Sequence, residues 1–138
     1  MSRYYRAAYT SEIRNVALAR KGIAAFAVDC GFDEAEVADI RLAAGEALSN
    51  AVEHGRTVHS PGFNVACKYD RGELTIEIRD RGHGFPTPCE RAYVEPDHRG
   101  RGFGIFLMRR LMDDVTFDRN GTVVRLVRRH PAPESQGA

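Results

Sequence analysis

The sequence predicts an α+β fold, an α/β sandwich in which helices cover one face of a mixed, mostly antiparallel sheet. Short stretches of alternating apolar and polar residues are joined by turn-forming residues at hairpin spacing, which is typical of antiparallel strands. Three other stretches carry apolar residues three and four apart, which is the period of a helix with one buried face. Helices of this kind most simply cover the apolar face of such a sheet.

A strand and a helix are expected at the start of the chain. Residues 4–9 are predicted to form a short strand. A stripe of apolar residues then predicts a helix from Ser11, which can cap its first turn, to about Cys30. Gly31 follows directly and is expected to end this helix.

A second helix is expected to begin at Asp33 and Glu36, which have the D-x-x-E spacing of a capping box. Its apolar stripe continues to Val52, and Gly55 is expected to be its C-cap. The stretch GEALSNAVEHG, residues 45–55, therefore forms the last three turns of this helix.

These turns carry a row of polar side chains. Glu46, Asn50 and His54 follow one another at intervals of four residues, so they stack on one side of the helix. By itself such a row is either a solvated helix face or part of a functional site, and the spacing does not separate the two.

The second half of the chain is predicted to contain two hairpins and a third helix. Residues 63–80 alternate around a turn at residues 70–72, and Asn120-Gly121 joins two further strands. A helix is expected from Phe103 to about Asp114. Residues 81–101 are rich in glycine, proline and charge and are expected to form a long functional or mobile loop.

Length and charge limit the classes of function. The chain of 138 residues fits a single domain at residues 1–130, with a disordered tail at residues 131–138. Its net charge of +1, from 20 basic and 19 acidic residues, gives no electrostatic reason to expect direct nucleic-acid binding or an anionic membrane. No apolar run is long enough to span a bilayer, and the first residues lack the core of a signal peptide, so a cytoplasmic protein is expected.

Two glycine motifs are candidates for a ligand site. DRGHGF begins at Asp80, where a predicted strand ends, and Gly82 and Gly84 permit close backbone approach. RGRGFGIFLM places Gly100, Gly102 and Gly104 at the start of the third helix, where free N–H groups favour phosphate. The spacing fits neither the Rossmann fingerprint nor the P-loop.

Taken in order, these motifs resemble a known family. E-x-x-x-N-x-x-x-H-G on a helix, D-x-G-x-G after a strand and G-x-G-x-G before a helix are similar to the Bergerat-fold ATP-binding domains of gyrase, Hsp90, histidine kinases and MutL. Within that group, RLAAGEALSNAVEHG and GFGIFLMRRLMDDVTF resemble the anti-sigma factor serine/threonine kinases. The resemblance covers about residues 10–129.

The resemblance implies a role for each matching position. Glu46 matches the general base, Asn50 the ligand of Mg²⁺, and Asp80 the carboxylate that accepts from the adenine amino group of ATP. The other implied nucleotide-binding residues are Gly82 and Gly84 on the adenine side, Gly100, Arg101, Gly102, Phe103 and Gly104 on the phosphate side, and Thr122, which supports the adenine pocket. Residues 86–98 match the mobile ATP lid, while the roles of His54, Arg99 and Arg101 stay open.

The implied function is that of an ATP-dependent serine/threonine protein kinase that phosphorylates an anti-sigma-factor antagonist and sequesters a sigma factor. Family members of this kind pair as dimers, so a homodimer is one expected state. The alternatives are an ATP-binding adaptor with little kinase activity and a detached histidine-kinase ATP domain. Glu46 favours a kinase, because a pure binder needs Asn50 but no base.

Overall fold

The computed structural model describes residues 2–57, 61–81, 103–118 and 122–130, with the side chains of residues 54–57 excepted. It contains strands and helices that follow the predicted order. These are β1 (Arg3–Thr10), α1 (Arg14–Asp29), α2 (Glu34–Thr57), β2 (Gly62–Asp70), β3 (Glu73–Asp80), α3 (Phe103–Leu111), β4 (Asp114–Asp118) and β5 (Val123–Arg129).

The strands form one five-stranded sheet in the order β1-β2-β3-β5-β4. Neighbouring strands pair in the antiparallel sense throughout the described part of the chain, which confirms the predicted α+β class. In the sheet, β5 lies between β3 and β4. The chain therefore leaves β3, forms α3 and β4, and then returns so that β5 pairs with β3. β1 and β4 form the two edges.

The core lies between the helices and one face of the sheet. Alternate residues of β3 are fully buried, among them Leu74, Ile76 and Ile78, while the residues between them are only half-buried. Ile40 and Leu48 of α2 are also fully buried and belong to the same cluster. The single buried face of the sheet is thus covered by helices, as the alternating pattern predicted.

Local hydrogen bonds explain where the first two helices end and begin. The N–H of Asp33 donates to the Glu36 carboxylate, and the N–H of Glu36 donates to the Asp33 carboxylate, both at 2.8 Å. This is the predicted capping box of α2. Gly31, with φ of +95°, ends α1, where the N–H of Phe32 donates to the carbonyl of Ala27.

Two predicted helix ends are wrong. Ser11 does not cap α1, which begins at Arg14 after Ile13, with no side-chain cap. Instead the side-chain amide of Asn15 donates to the carbonyl of Thr10, and this contact closes the turn before the helix. Gly55 is not a C-cap either, because α2 continues to Thr57.

The predicted end of α3 is also wrong, and three further expectations concern residues outside the described part of the chain. α3 ends at Leu111 instead of near Asp114, because the chain enters β4 at Asp114. The Asn120-Gly121 turn, the loop after residue 81 and the tail at residues 131–138 fall outside the described part. No helix within that part is long and apolar enough to cross a membrane.

Candidate functional site

A pocket opens between α2, α3 and the end of the sheet where β3 stops. The cavity itself measures about 20 Å³, roughly the space of one water molecule, within about 300 Å³ that includes open solvent. The residues that line it are Ala47, Asn50, Ala51, Ile78, Asp80, Met108, Phe117, Thr122 and Val124. Most of its wall is apolar, and only three lining side chains are polar. An apolar pocket with a few polar groups is the usual form of a small-molecule site.

Asp80 is the polar end of this pocket. It is the last residue of β3 and is 5% exposed. Its backbone N–H donates to the carbonyl of Thr122 at 2.7 Å, so β3 and the start of β5 are joined where both residues line the pocket. A carboxylate is rarely kept out of water in a folded protein without a function or a partner.

Asn50 forms part of the opposite side of the pocket. It is half-buried on α2 and lies one turn after Glu46, which is also half-buried. Four residues of an α-helix rise by about 6 Å, so the amide and the carboxylate lie on one face but reach different depths. The structure therefore brings Asn50 of the predicted row to the pocket, while Glu46 lies one turn earlier and is not among the residues that line it.

Gly104 places the start of α3 against this row. A Cβ atom on Gly104 would lie 2.9 Å from Oε1 of Glu46 and 3.6 Å from Nδ2 of Asn50. The first N–H groups of a helix have no partner within the helix, and they carry the positive end of its dipole. The first turn of α3, Glu46 and Asn50 therefore form a polar region beside the apolar pocket.

The remaining predicted site residues either do not line the pocket or lie outside the described residues. Phe103 begins α3, but its side chain is 46% exposed, packs edge-on against Phe106 at 6.1 Å and is not among the pocket-lining residues. Gly82, Gly84, Gly100, Arg101 and Gly102 lie outside the described residues, as does Arg99. The backbone of His54 lies in α2, and its side chain is not part of the described structure.

The sequence analysis missed the apolar part of the pocket. Met108, Phe117 and Val124 come from three different elements, and their helical or alternating positions predict core residues of the ordinary kind. A weak signal was present at Ala47 and Ala51, which are small, four residues apart and next to Asn50. Small side chains on a helix can leave space for a ligand, but Ala43 and Ala44 of the same helix are also buried, so the signal is not specific.

Comparison with known proteins identifies the family of this chain. The family model described as the histidine kinase-like ATPase domain matches residues 9–128. An anti-sigma F factor of Clostridium botulinum is 32% identical over 126 residues, which are 86% of this chain and 88% of that protein. A serine-protein kinase RsbW of Oceanobacillus iheyensis is 30% identical over 128 residues, which are 86% of this chain and 81% of that protein.

A solved structure has the same fold. The crystal structure of the RsbU and RsbW domains of Rv1364c from Mycobacterium tuberculosis gives a TM-score of 0.68 at 21% identity. The match covers 97% of this chain and 35% of that longer one.

The pocket beside Asp80, the row on α2 and the glycine at the start of α3 occur in a chain that matches one family model over most of its length. The resemblance inferred from the sequence motifs is thereby confirmed. The chain belongs to the histidine kinase-like ATPase domain family and is similar, within it, to anti-sigma factors and to a serine-protein kinase.

Proposed function

We propose that this protein is an ATP-dependent serine/threonine protein kinase that phosphorylates an anti-sigma-factor antagonist and also sequesters a sigma factor. The observation that carries the proposal is the position of Gly104, where an added Cβ atom would lie within 2.9 Å of the Glu46 carboxylate and 3.6 Å of the Asn50 amide. It brings a helix N-terminus, a carboxylate and an amide together beside a pocket that ends at Asp80. The names of the two relatives supply a sigma factor and a protein serine as partner classes, and the antagonist comes from the resemblance inferred from the sequence.

The pocket has the chemistry needed for an adenine ring. Ile78, Met108 and Val124 line the pocket and are almost fully buried, so they would offer apolar surface to a flat aromatic base once the pocket widens. The buried carboxylate of Asp80 would accept a hydrogen bond from the amino group of the base, and Thr122 lies next to it. Gly82 and Gly84 follow Asp80 in the chain and are proposed to lie along the same side of the nucleotide.

The polar region beside the pocket suits the phosphates and their metal ion. Asn50 would be the protein ligand of Mg²⁺, an ion that keeps several waters and phosphate oxygens and so needs few protein oxygens. The start of α3 would bind phosphate through its N–H groups. The proposed phosphate-side residues are Gly100, Arg101, Gly102, Phe103 and Gly104.

Glu46 is the proposed general base. It would accept the proton of a serine or threonine hydroxyl on the antagonist, whose oxygen forms a bond to the γ-phosphorus while the bond from that phosphorus to the β,γ-bridging oxygen breaks. The products are the phosphorylated antagonist and ADP. When bound, Mg²⁺ would neutralise the charge that develops on the phosphate oxygens. Residues 1–130 would form the single ATP-binding domain of this cytoplasmic enzyme, for which a homodimer is one expected state.

Nucleotide binding can be tested by thermal melting. A ligand present at about 100 times its dissociation constant stabilises the folded state by roughly 2.7 kcal/mol. We expect Mg-ATP to raise the Tm of the wild type clearly and that of Asn50→Ala much less. Ser49→Ala, an exposed neighbour on α2, should behave like the wild type. A wild type whose Tm does not change at millimolar Mg-ATP would overturn the proposal.

Phosphoryl transfer needs a separate test, because an ATP-binding adaptor would pass the first one. A general base contributes about 10²- to 10⁴-fold to the rate. Glu46→Gln should therefore bind ATP normally but lose transfer of labelled γ-phosphate to a verified antagonist. The matched control is Glu53→Gln, an exposed carboxylate on α2, which should keep the wild-type rate. If the wild type transfers no phosphate to that antagonist, the adaptor function is the correct one.

A further inference from the structure

Arg81 connects the end of β3 to the edge of the sheet. Its backbone N–H donates to the carbonyl of Gly62 at 3.0 Å, and its guanidinium Nη2 donates to the carbonyl of Tyr9 at 3.1 Å. The side chain thus crosses the whole of β2 to reach β1. Because Arg81 directly follows Asp80, these two contacts hold the backbone beside the buried carboxylate of the pocket.

Glycine at position 62 leaves the path of this side chain open. A Cβ atom on Gly62 would overlap both Nη2 of Arg81 and the carbonyl oxygen of Tyr9. Any other residue would therefore push the guanidinium away or separate the first two strands at this point. Gly62 is the first residue of β2 and pairs with Thr10, so the crossing lies at the same end of the sheet as the pocket.

The residues around the crossing form one row across the sheet. Tyr9 pairs with Phe63, and Phe63 pairs with Asp80. The rings of Tyr9 and Phe63 stack with their centroids 5.3 Å apart, and Phe63 is fully buried. On the other side, the N–H of Asp80 donates to Thr122. Asp80 is thus held from β5 directly and from β1 through Arg81.

We propose that Arg81 is a positioning residue, which sets the place of the Asp80 carboxylate by fixing the end of β3 to β1. This inference rests on the proposed binding of adenine at Asp80. Arg81 is exposed and does not line the pocket, so its effect on a ligand must act through the backbone of its neighbour. Loss of the Arg81 side chain should therefore weaken binding of the adenine end of the nucleotide and should not change the rate at which the γ-phosphate is transferred.

The test is the nucleotide affinity of Arg81→Ala, measured by titration with Mg-ATP and with Mg-ADP. We expect both to bind about three- to tenfold more weakly, which is the size of effect that losing one typical exposed hydrogen bond produces. Arg81→Lys can still donate to the Tyr9 carbonyl and should bind within about twofold of the wild type. The matched control is Arg71→Ala, because Arg71 lies in the β2–β3 turn with 90% of its side chain exposed.

Two further measurements separate positioning from a merely structural role. With a verified antagonist as phosphate acceptor, Arg81→Ala should raise KM for ATP and leave kcat near the wild-type value. Its Tm without nucleotide should fall by no more than a few degrees, because the lost hydrogen bond is exposed. A lower Tm with unchanged nucleotide affinity would overturn the inference, and so would Arg81→Lys binding as weakly as Arg81→Ala. If the wild type binds no nucleotide, both the proposed function and this inference are overturned. If the wild type and Arg81→Ala bind nucleotide equally tightly, only the inference is overturned.

Discussion

Gly104 at the start of α3 lies directly against the carboxylate of Glu46 on α2. A Cβ atom at position 104 would come within 2.9 Å of Oε1 of Glu46, closer than real Cβ contacts allow, and within 3.8 Å of its Cβ. The nearest atom is the end of a flexible side chain, so a larger residue could be accommodated if the carboxylate moved. The glycine therefore leaves free the space that the carboxylate occupies.

Gly104→Ala is expected to separate catalysis from folding. Alanine in place of a helical glycine favours the helix by up to about 1 kcal/mol, so the variant should be at least as stable as the wild type. A displacement of the proposed base by about 1 Å can cost about 10² in rate. We expect phosphate transfer to fall by at least tenfold, with Mg-ATP affinity within about threefold of the wild type, measured by transfer assay and titration.

Gly31→Ala is the matched control for this variant. Gly31 has φ of +95°, and no atom lies within 4 Å of the place that an alanine methyl group would take, so only backbone strain opposes the change. It should lower the free energy of unfolding by about 1–2 kcal/mol while leaving transfer by the folded protein at the wild-type rate. Full transfer activity in Gly104→Ala would contradict the role given to that glycine.

Much of the fold could be predicted because local patterns and long-range packing agree. The alternation in β2 and β3 predicts strands with one buried face, and the turn between them has positive φ at both Arg71 and Gly72, as a tight hairpin requires. Ser11 failed as a cap because the helix begins only at Arg14, and the turn before it is closed instead by the Asn15 side chain. That closure depends on a contact with Thr10, which a capping pattern does not contain.

The site was predictable only where its residues lie in contiguous motifs. Glu46, Asn50 and Asp80 were identified from spacing and family resemblance, and the structure places Asn50 and Asp80 in one pocket. The position of β5 between β3 and β4 brings Thr122 to Asp80, and no local pattern encodes that strand order. The crossing of Arg81 over Gly62 is likewise a product of the strand register.

The capping box of α2 gives a stability prediction. Asp33→Ala removes the acceptor for the N–H of Glu36, and losing an N-cap side chain typically costs about 1 kcal/mol. Urea unfolding should show that decrease in the free energy of unfolding with an unchanged m-value. Asp29→Ala, at the last residue of α1, is the control and should not destabilise, because an acidic side chain is unfavourable at a helix C-terminus. Equal stability of Asp33→Ala and the wild type would show that the box contributes nothing.

Arg128 joins three elements at the other end of the helices. Its Nη1 donates to the carbonyl of Leu111 at 2.7 Å and lies 3.2 Å from Oδ2 of Asp39, with only 17% of the side chain exposed. Arg128→Ala should cost about 1.5–3 kcal/mol in urea unfolding, because it removes hydrogen bonds from a charged donor and uncovers the end of α3. Asp39→Asn keeps the bond to Leu111 and should cost less than Arg128→Ala.

The control for Arg128 is Arg71→Ala. The Arg71 pair with Asp70 spans 3.9 Å and is almost fully exposed on the arginine side, so its loss should change the free energy of unfolding by less than about 0.5 kcal/mol. If Arg128→Ala destabilises no more than this exposed variant, the contacts with Leu111 and Asp39 do not stabilise the fold.

Tyr5 gives a prediction for alkaline pH. The hydrogen bond with the hydroxyl of Tyr9, together with burial, raises the pKa of Tyr5 from 10.0 to about 12. Because the folded state holds this proton more tightly than the unfolded state does, the stability contributed by the protonated hydroxyl is fully present below pH 10 and is lost as the pH rises through about 12.

In Tyr5→Phe, the free energy of unfolding should therefore fall less steeply across this window than in the wild type. Tyr4→Phe, at a neighbouring position that is 60% exposed, should keep the wild-type slope. Urea unfolding at a series of pH values gives both slopes, and identical slopes for Tyr5→Phe and the wild type would show that another group controls the alkaline loss of stability.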